Sequence, residues 1–179
     1  MATRLILTAI APNQPRMANG LIDLVLSYGV DITESHMTVM SKEFAVIMEI
    51  AGSWNALTKL EHQLPVKAHA LSFLTMIKRS ESVSYDGSMT PFRVVFQDVS
   101  DRAKSLISIT EFFAEHSINI EELNCRTLLS PQSDEQVAEL KFTISLSIEQ
   151  NPDELRSKFK QFCTEHNLTA QITLLKNQY

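Results

Sequence analysis

The chain has 179 residues, 44% of them apolar, and a formal net charge of -5. That is room for one ordinary domain or two compact ones with normal globular cores. Its 16 Lys and Arg residues are dispersed and outnumbered by 21 Asp and Glu, which argues against direct binding to nucleic acid or to an anionic membrane surface.

Residues 4–11 read as a strand, rich in Leu, Ile and Thr and closed by the breaker cluster Pro12-Asn13-Gln14-Pro15. No apolar run resembles a signal peptide or a membrane span, and a cytoplasmic protein is expected. From Met17 the period becomes helical, with Met17, Leu21, Leu24, Val25 and Tyr28 on one face and Gly29 as a left-handed cap. Residues 30–40 alternate as a strand, with Ile32 and His36 set apart from Asp31, Thr33 and Ser35. After the polar turn Ser41-Lys42-Glu43, the apolar run 44–51 reads as a returning strand covered on both faces. Ser53 caps a second helix carrying Trp54, Leu57, Leu60 and Leu64, which Pro65 is expected to end, and residues 70–77 form the fourth strand.

Strand, helix, strand, strand, helix, strand is the split βαβ order, an antiparallel sheet with both helices on one face. The polar stretch 78–91 reads as a linker, giving a first domain at 1–79, a linker at 80–90 and a second domain at 91–179. The same order then repeats. Residues 92–98 are a strand, and 104–116 a helix with Leu106, Ile109, Phe112 and Phe113 inward. Residues 118–129 are a strand, 130–136 a hairpin loop, and 137–148 a strand with one polar face. Asn151-Pro152-Asp153-Glu154 opens a helix with Leu155, Phe159 and Phe162 inward, and residues 168–176 close the sheet. The elbow Tyr28-Gly29-Val30-Asp31-Ile32-Thr33-Glu34 returns as His116-Ser117-Ile118-Asn119-Ile120-Glu121-Glu122, at a constant shift of 88. A repeat of that size means a duplicated domain: α+β, with two ferredoxin-like βαββαβ units.

The pattern is poor in reaction chemistry. There is no nucleophile–base pair and no metal-ligand spacing, and 4 glycines leave no phosphate-cradling loop. Cys125 and Cys163 belong to no Cys-x-x-Cys or Cys/His cluster and read as reduced, packed residues. The five histidines read as structural or surface residues, and Lys78-Arg79 and residues 156–160 as solvated charge. Glu121 and Glu122 are adjacent in a strand and should point to opposite faces unless a bulge intervenes. No catalysis, cofactor or metal is expected. What remains is the loop after the first strand of each copy, residues 13–18 and 100–105, where a helix N-terminus offers backbone N–H groups to a carboxylate. The strand starts carrying Asp31 and Asn119 are expected beside these loops.

The tandem arrangement, the loop Ala11-Pro12-Asn13-Gln14-Pro15-Arg16-Met17, the elbow Gly29-Val30-Asp31-Ile32 and the hairpin Ser41-Lys42-Glu43-Phe44 resemble a known family. They look like the double ACT-domain proteins typified by the glycine cleavage system transcriptional repressors, over nearly the whole chain. The resemblance implies a regulatory protein and not an enzyme. It implies action through contact with a LysR-type activator, without direct nucleic-acid or membrane binding, and with a small amino acid such as glycine as the signal. It also implies a ligand site at Asn13, Gln14, Pro15 and Arg16, where the family's Asp-Arg-Pro-Gly loop falls, with Asp31 nearby. The second copy would use Asp101, Arg102, Lys104 and Asn119. Only Pro15 matches the family pattern in the first loop; Arg16 stands at the Gly position, and Lys104 does so in the second. Exposed sheet edges favour side-by-side pairing of the two copies within one chain, with a homodimer beyond that. Two alternatives stand beside this reading: an interaction or assembly module whose pocket has been lost, and a regulatory subunit of a metabolic enzyme.

Overall fold

The computed structural model of the protein describes residues 3–81, 89–129 and 136–175. The chain divides into two compact units, Met1–Ser84 and Tyr85–Tyr179. The first runs β1 (Thr3–Pro12), α1 (Met17–Leu26), β2 (Asp31–Met40), β3 (Glu43–Ala51), α2 (Trp54–Ala70) and β4 (Leu74–Glu81). The second runs β5 (Met89–Val99), α3 (Arg102–Glu115), β6 (Asn119–Leu129), β7 (Gln136–Ser147), α4 (Pro152–Glu165) and β8 (Thr169–Leu174). The sheets are antiparallel with orders β2-β3-β1-β4 and β6-β7-β5-β8, so each unit is a ferredoxin-like βαββαβ fold.

Alternation along the central strands makes the cores. In β1 every second residue, Leu5, Leu7, Ala9 and Ala11, is buried against Leu21 and Val25 of α1 and Leu57, Leu60 and Leu64 of α2. Each such Leu contributes about 1.5–3 kcal/mol by leaving water. The second core is aromatic: Phe96 meets Phe142 at 5.9 Å and Phe159 at 5.8 Å, and Phe113 meets Phe142 at 5.4 Å, all edge to face.

The four helices among the described residues end in one way. Gly29, Ser72, Ser117 and Asn167 take positive φ, between 52° and 71°. The next residue is apolar in every case: Val30, Phe73, Ile118 and Leu168. In the last three junctions the amide after the left-handed residue donates back to a carbonyl five residues earlier, as in Phe73 to Ala68 at 2.9 Å. That is the Schellman pattern, with its apolar residue tucked against the core. This turn explains why the elbow was the recognisable repeat.

Several expectations need correction. Pro65 does not end α2, which continues to Ala70, because buried Leu64 and Ala68 straddle it and hold the last turn to the core. The fourth strand consequently starts at Leu74, after the turn at Ser72. Residues 78–81 belong to β4 and 89–91 to β5, so their polarity reflects strand surface, not linker. The remainder of that proposed linker, 82–88, and most of the hairpin loop 130–136 lie outside the described residues. The run in β3 is not covered on both faces, since Ile47 is 48% exposed. Ile148 falls beyond β7 and is exposed, and Cys125 is exposed where a packed thiol was expected.

Candidate functional site

The two loop-to-helix turns differ. In the first unit Asn13, Gln14, Pro15 and Arg16 are all exposed and lie outside α1. The Asn13 amide donates to the Lys42 carbonyl at 2.7 Å, fastening the loop to the β2–β3 hairpin. Arg16 occupies the N-cap position with φ 73° and no side chain caps the helix. The backbone therefore keeps the left-handed conformation that a glycine would adopt without strain, with an arginine in it.

In the second unit Asp101, Arg102, Ala103 and Lys104, the counterparts at a shift of 88, have folded into the helix start. α3 has 14 residues against 10 in α1. The Asp101 carboxylate accepts from the Lys104 amide at 3.0 Å, so the helix terminus is occupied by the chain's own acid. Arg102 is drawn away to donate to the Thr127 hydroxyl at 3.1 Å. Here the protein supplies the carboxylate that an external ligand would otherwise supply.

Asp31 and Asn119 do not join these loops. Asp31 pairs with Ala51, which is level with Arg4, whereas the loop follows Pro12, level with Glu43 and Met40. Nine residues of strand separate the two places, about 30 Å at ordinary rise. Asn119 likewise pairs with Ser145 opposite Pro91, while Asp101 follows Val99, level with Ala138 and Thr127. The strand runs antiparallel to its hairpin partner, so its end, not its start, meets the loop.

Both units carry a β-bulge at the same place. β2 shifts register between Ile32 and Glu34, and β6 between Ile120 and Glu122. The extra residues, Thr33 and Glu121, are themselves 88 apart. In β2 the Thr33 hydroxyl donates to the Glu49 carboxylate at 2.6 Å, which also lies 3.6 Å from the Arg4 guanidinium. The bulge leaves Ile32 opposite buried Ile50 but turns His36 to the other face, opposite Ile47. In β6 it brings Glu121 and Glu122 to one face after all. The Ser145 hydroxyl donates to Glu121, and Glu122 accepts from Asn124 at 2.8 Å and from Thr143 at 3.3 Å. Alternation alone cannot reveal an inserted residue.

The second unit also has an open cleft of about 400 Å³ between α3 and α4. Phe112 and Phe162, which line it, stack at 4.7 Å, and His116 and His166 lie tilted against the Phe112 and Phe162 rings at 4.4 and 4.5 Å. The His116 ring stands 2.8 Å from the Phe112 carbonyl, which fixes it as a lid on the aromatic pair. Among the described residues no group of three or more His, Cys, Asp or Glu is arranged to hold a metal ion. Among them too, no helix is long and apolar enough to cross a membrane.

Two βαββαβ units in one chain are the arrangement of the tandem ACT-domain proteins. Residues 3–78 match the ACT domain family model. Over 174 residues, 96% of this chain and 90% of the relative, the chain is 32% identical to the glycine cleavage system transcriptional repressor of Escherichia coli (strain K12). It matches the protein of the same description from Shigella flexneri to the same extent. The chain belongs to the glycine cleavage system transcriptional repressor family. A crystal structure of a candidate repressor of that name is similar over 99% of both chains, with a TM-score of 0.79 and 24% identity. A protein from Galdieria sulphuraria shares the fold at a TM-score of 0.73 and 14% identity, over 98% of this chain and 100% of its own.

Proposed function

We propose that the protein is a non-catalytic cytoplasmic regulator that acts by contact with a LysR-type transcriptional activator. In this reading it senses a small amino acid such as glycine and works as a homodimer. The 32% identity to the repressors over 96% of the chain carries the regulatory part of this reading. The sensing part is supported by the difference between the loops. The α1 terminus has no side-chain cap, whereas Asp101 caps α3. The proposal is therefore one amino-acid site per chain, at Asn13, Gln14, Pro15 and Arg16, with the ligand carboxylate on the α1 amides.

Calorimetric titration of the full chain with glycine, serine and the other amino acids tests the sensing half. A single site per chain is expected, lost when residues 13–16 are altered and unchanged in Asp101→Ala. Silence across the set sinks it and leaves an interaction module, the reading that Arg16 at the glycine position favours. Capture of a LysR-type activator from extract by the immobilised protein tests the other half. Recovery of a metabolic enzyme alone would count against it.

A further inference from the structure

The first unit's sheet has one face packed on its helices and another whose chemistry is unusual. Across the second face, His36, Ile47, Thr8 and Met76 stand in one row from β2 to β4. Thr38, Ala45, Ile10 and Leu74 stand in the next. Met76 is 66% and Leu74 74% exposed, so β4 carries an apolar ridge. The second unit offers an internal comparison. Its equivalent rows read Asn124, Lys141, Val95, Gln171 and then, in β6 and β7, Arg126 and Glu139. At these two rows the second unit is polar and the first largely apolar, bordered by the charged row Glu34, Glu49, Ile6 and Lys78, and an exposed apolar patch marks an interaction surface.

The apolar face is also self-complementary. Across the sheet from the β4 ridge lies a hollow of about 210 Å³ over β2 and β3, lined by Ile6, Glu34, His36 and Ile47. Ridge and hollow sit at the same level, because Met76, Thr8, Ile47 and His36 share a row. We propose that this face is the interface of a homodimer, with the first-unit sheets of two copies packed face to face about a two-fold axis parallel to the strands. That axis carries β4 of each copy over β2 of the other without displacement along the strand. Met76 of each copy then enters the hollow beside His36 and Ile47 of the other, as an isologous contact requires. Four strands, eight residues long in β4, span about 500 Å² at ordinary spacing. Two facing copies bury about 1,000 Å², enough for a specific interface. The inference rests on the homodimer reading above and is independent of ligand and activator.

Sedimentation equilibrium on the full chain tests it, with Met76→Asp and Ile47→Asp as probes and Gln171→Asp on the polar face for comparison. The wild type should be dimeric, and the two probes should weaken the dimer by about 100-fold or more, while Gln171→Asp leaves it unchanged. A second measurement keeps the side chains uncharged. In a Cys125→Ser background, His36→Cys combined with Met76→Cys should give a covalent dimer with a short bifunctional thiol reagent, since facing sheets stand about 10 Å apart. Within one chain these positions are three strands apart, about 14 Å, too far for it to bridge. A monomeric wild type overturns both the homodimer and this surface. A dimer indifferent to Met76→Asp and Ile47→Asp, or a folded double-cysteine protein that does not cross-link, overturns the surface alone.

Discussion

Replacing Arg16 by glycine should make the first unit more stable, although the change deletes a long side chain. Arg16 sits at φ 73° with no capping hydrogen bond from its side chain. The left-handed region costs a residue with a Cβ about 1–2 kcal/mol. Glycine avoids that cost but has a freer unfolded chain, which takes back about 0.4–1 kcal/mol. The net gain is about 0.5–1 kcal/mol, or roughly 2–8 °C in melting temperature for a domain of this size. Arg16→Ala keeps the Cβ and should change little, so the difference between the two variants isolates the backbone effect. Trp54 is the only tryptophan in the chain and lies in α2, with the Arg79 guanidinium 6.0 Å from its ring centroid. Its fluorescence therefore reports the melting of the first unit selectively. If Arg16→Gly melts at or below the wild type while Arg16→Ala rises, the conformational argument is wrong and the arginine is held by something other than backbone geometry.

Asp101→Ala removes the carboxylate that accepts from the Lys104 amide at 3.0 Å, and should lower the second unit's stability by about 1 kcal/mol, measurable by calorimetry. The two thiols should separate cleanly on alkylation and mass spectrometry. Burial pushes Cys163 up to about 11, so it has little thiolate near neutral pH, while exposed Cys125 reacts first. Equal labelling of both in the folded protein would contradict the packing of α4. A hydrogen bond from Arg79, at 2.7 Å, holds Glu61 below the ordinary glutamate value. Its contribution is therefore complete above the unfolded value of about 4.3 and lost as pH falls through the folded one. Glu61→Gln should flatten this part of the acid limb in the Trp54 melts, lowering stability at neutral pH, where the contribution is complete, and changing nothing at low pH, where it is already lost.

The duplicated fold could be read from the sequence because the decisive signal was local. A left-handed residue followed by an apolar one ends each helix, and at Gly29-Val30 and Ser117-Ile118 the neighbouring residues also repeat. The errors at Pro65 and β4 came from treating a proline as a stop when burial of Leu64 and Ala68 outweighed it. The loops at 13–16 and 101–104 were located correctly as helix starts, but their opposite states were hidden. Whether Asp101 caps its own helix depends on one further turn of α3, which propensity does not fix. Asp31 and Asn119 were assigned to the wrong end of the sheet because direction along an edge strand is defined only by its partner's register.

The bulges at Thr33 and Glu121 carry a consequence for the chain's tolerance of shortening. Losing one residue from a regular strand inverts every side chain on one side of the gap, exchanging core for solvent. At these two positions the strand already holds a surplus residue, so its removal would join Ile32 to Glu34, or Ile120 to Glu122, in unbroken alternation against the same partners. The sheet would lose a kink and a local hydrogen bond, and Ile32 and Ile120 would keep their places opposite Ile50 and Ile144. Two edge strands of this protein are thus one residue longer than their pairing demands, and each could be trimmed at a single point without being turned over.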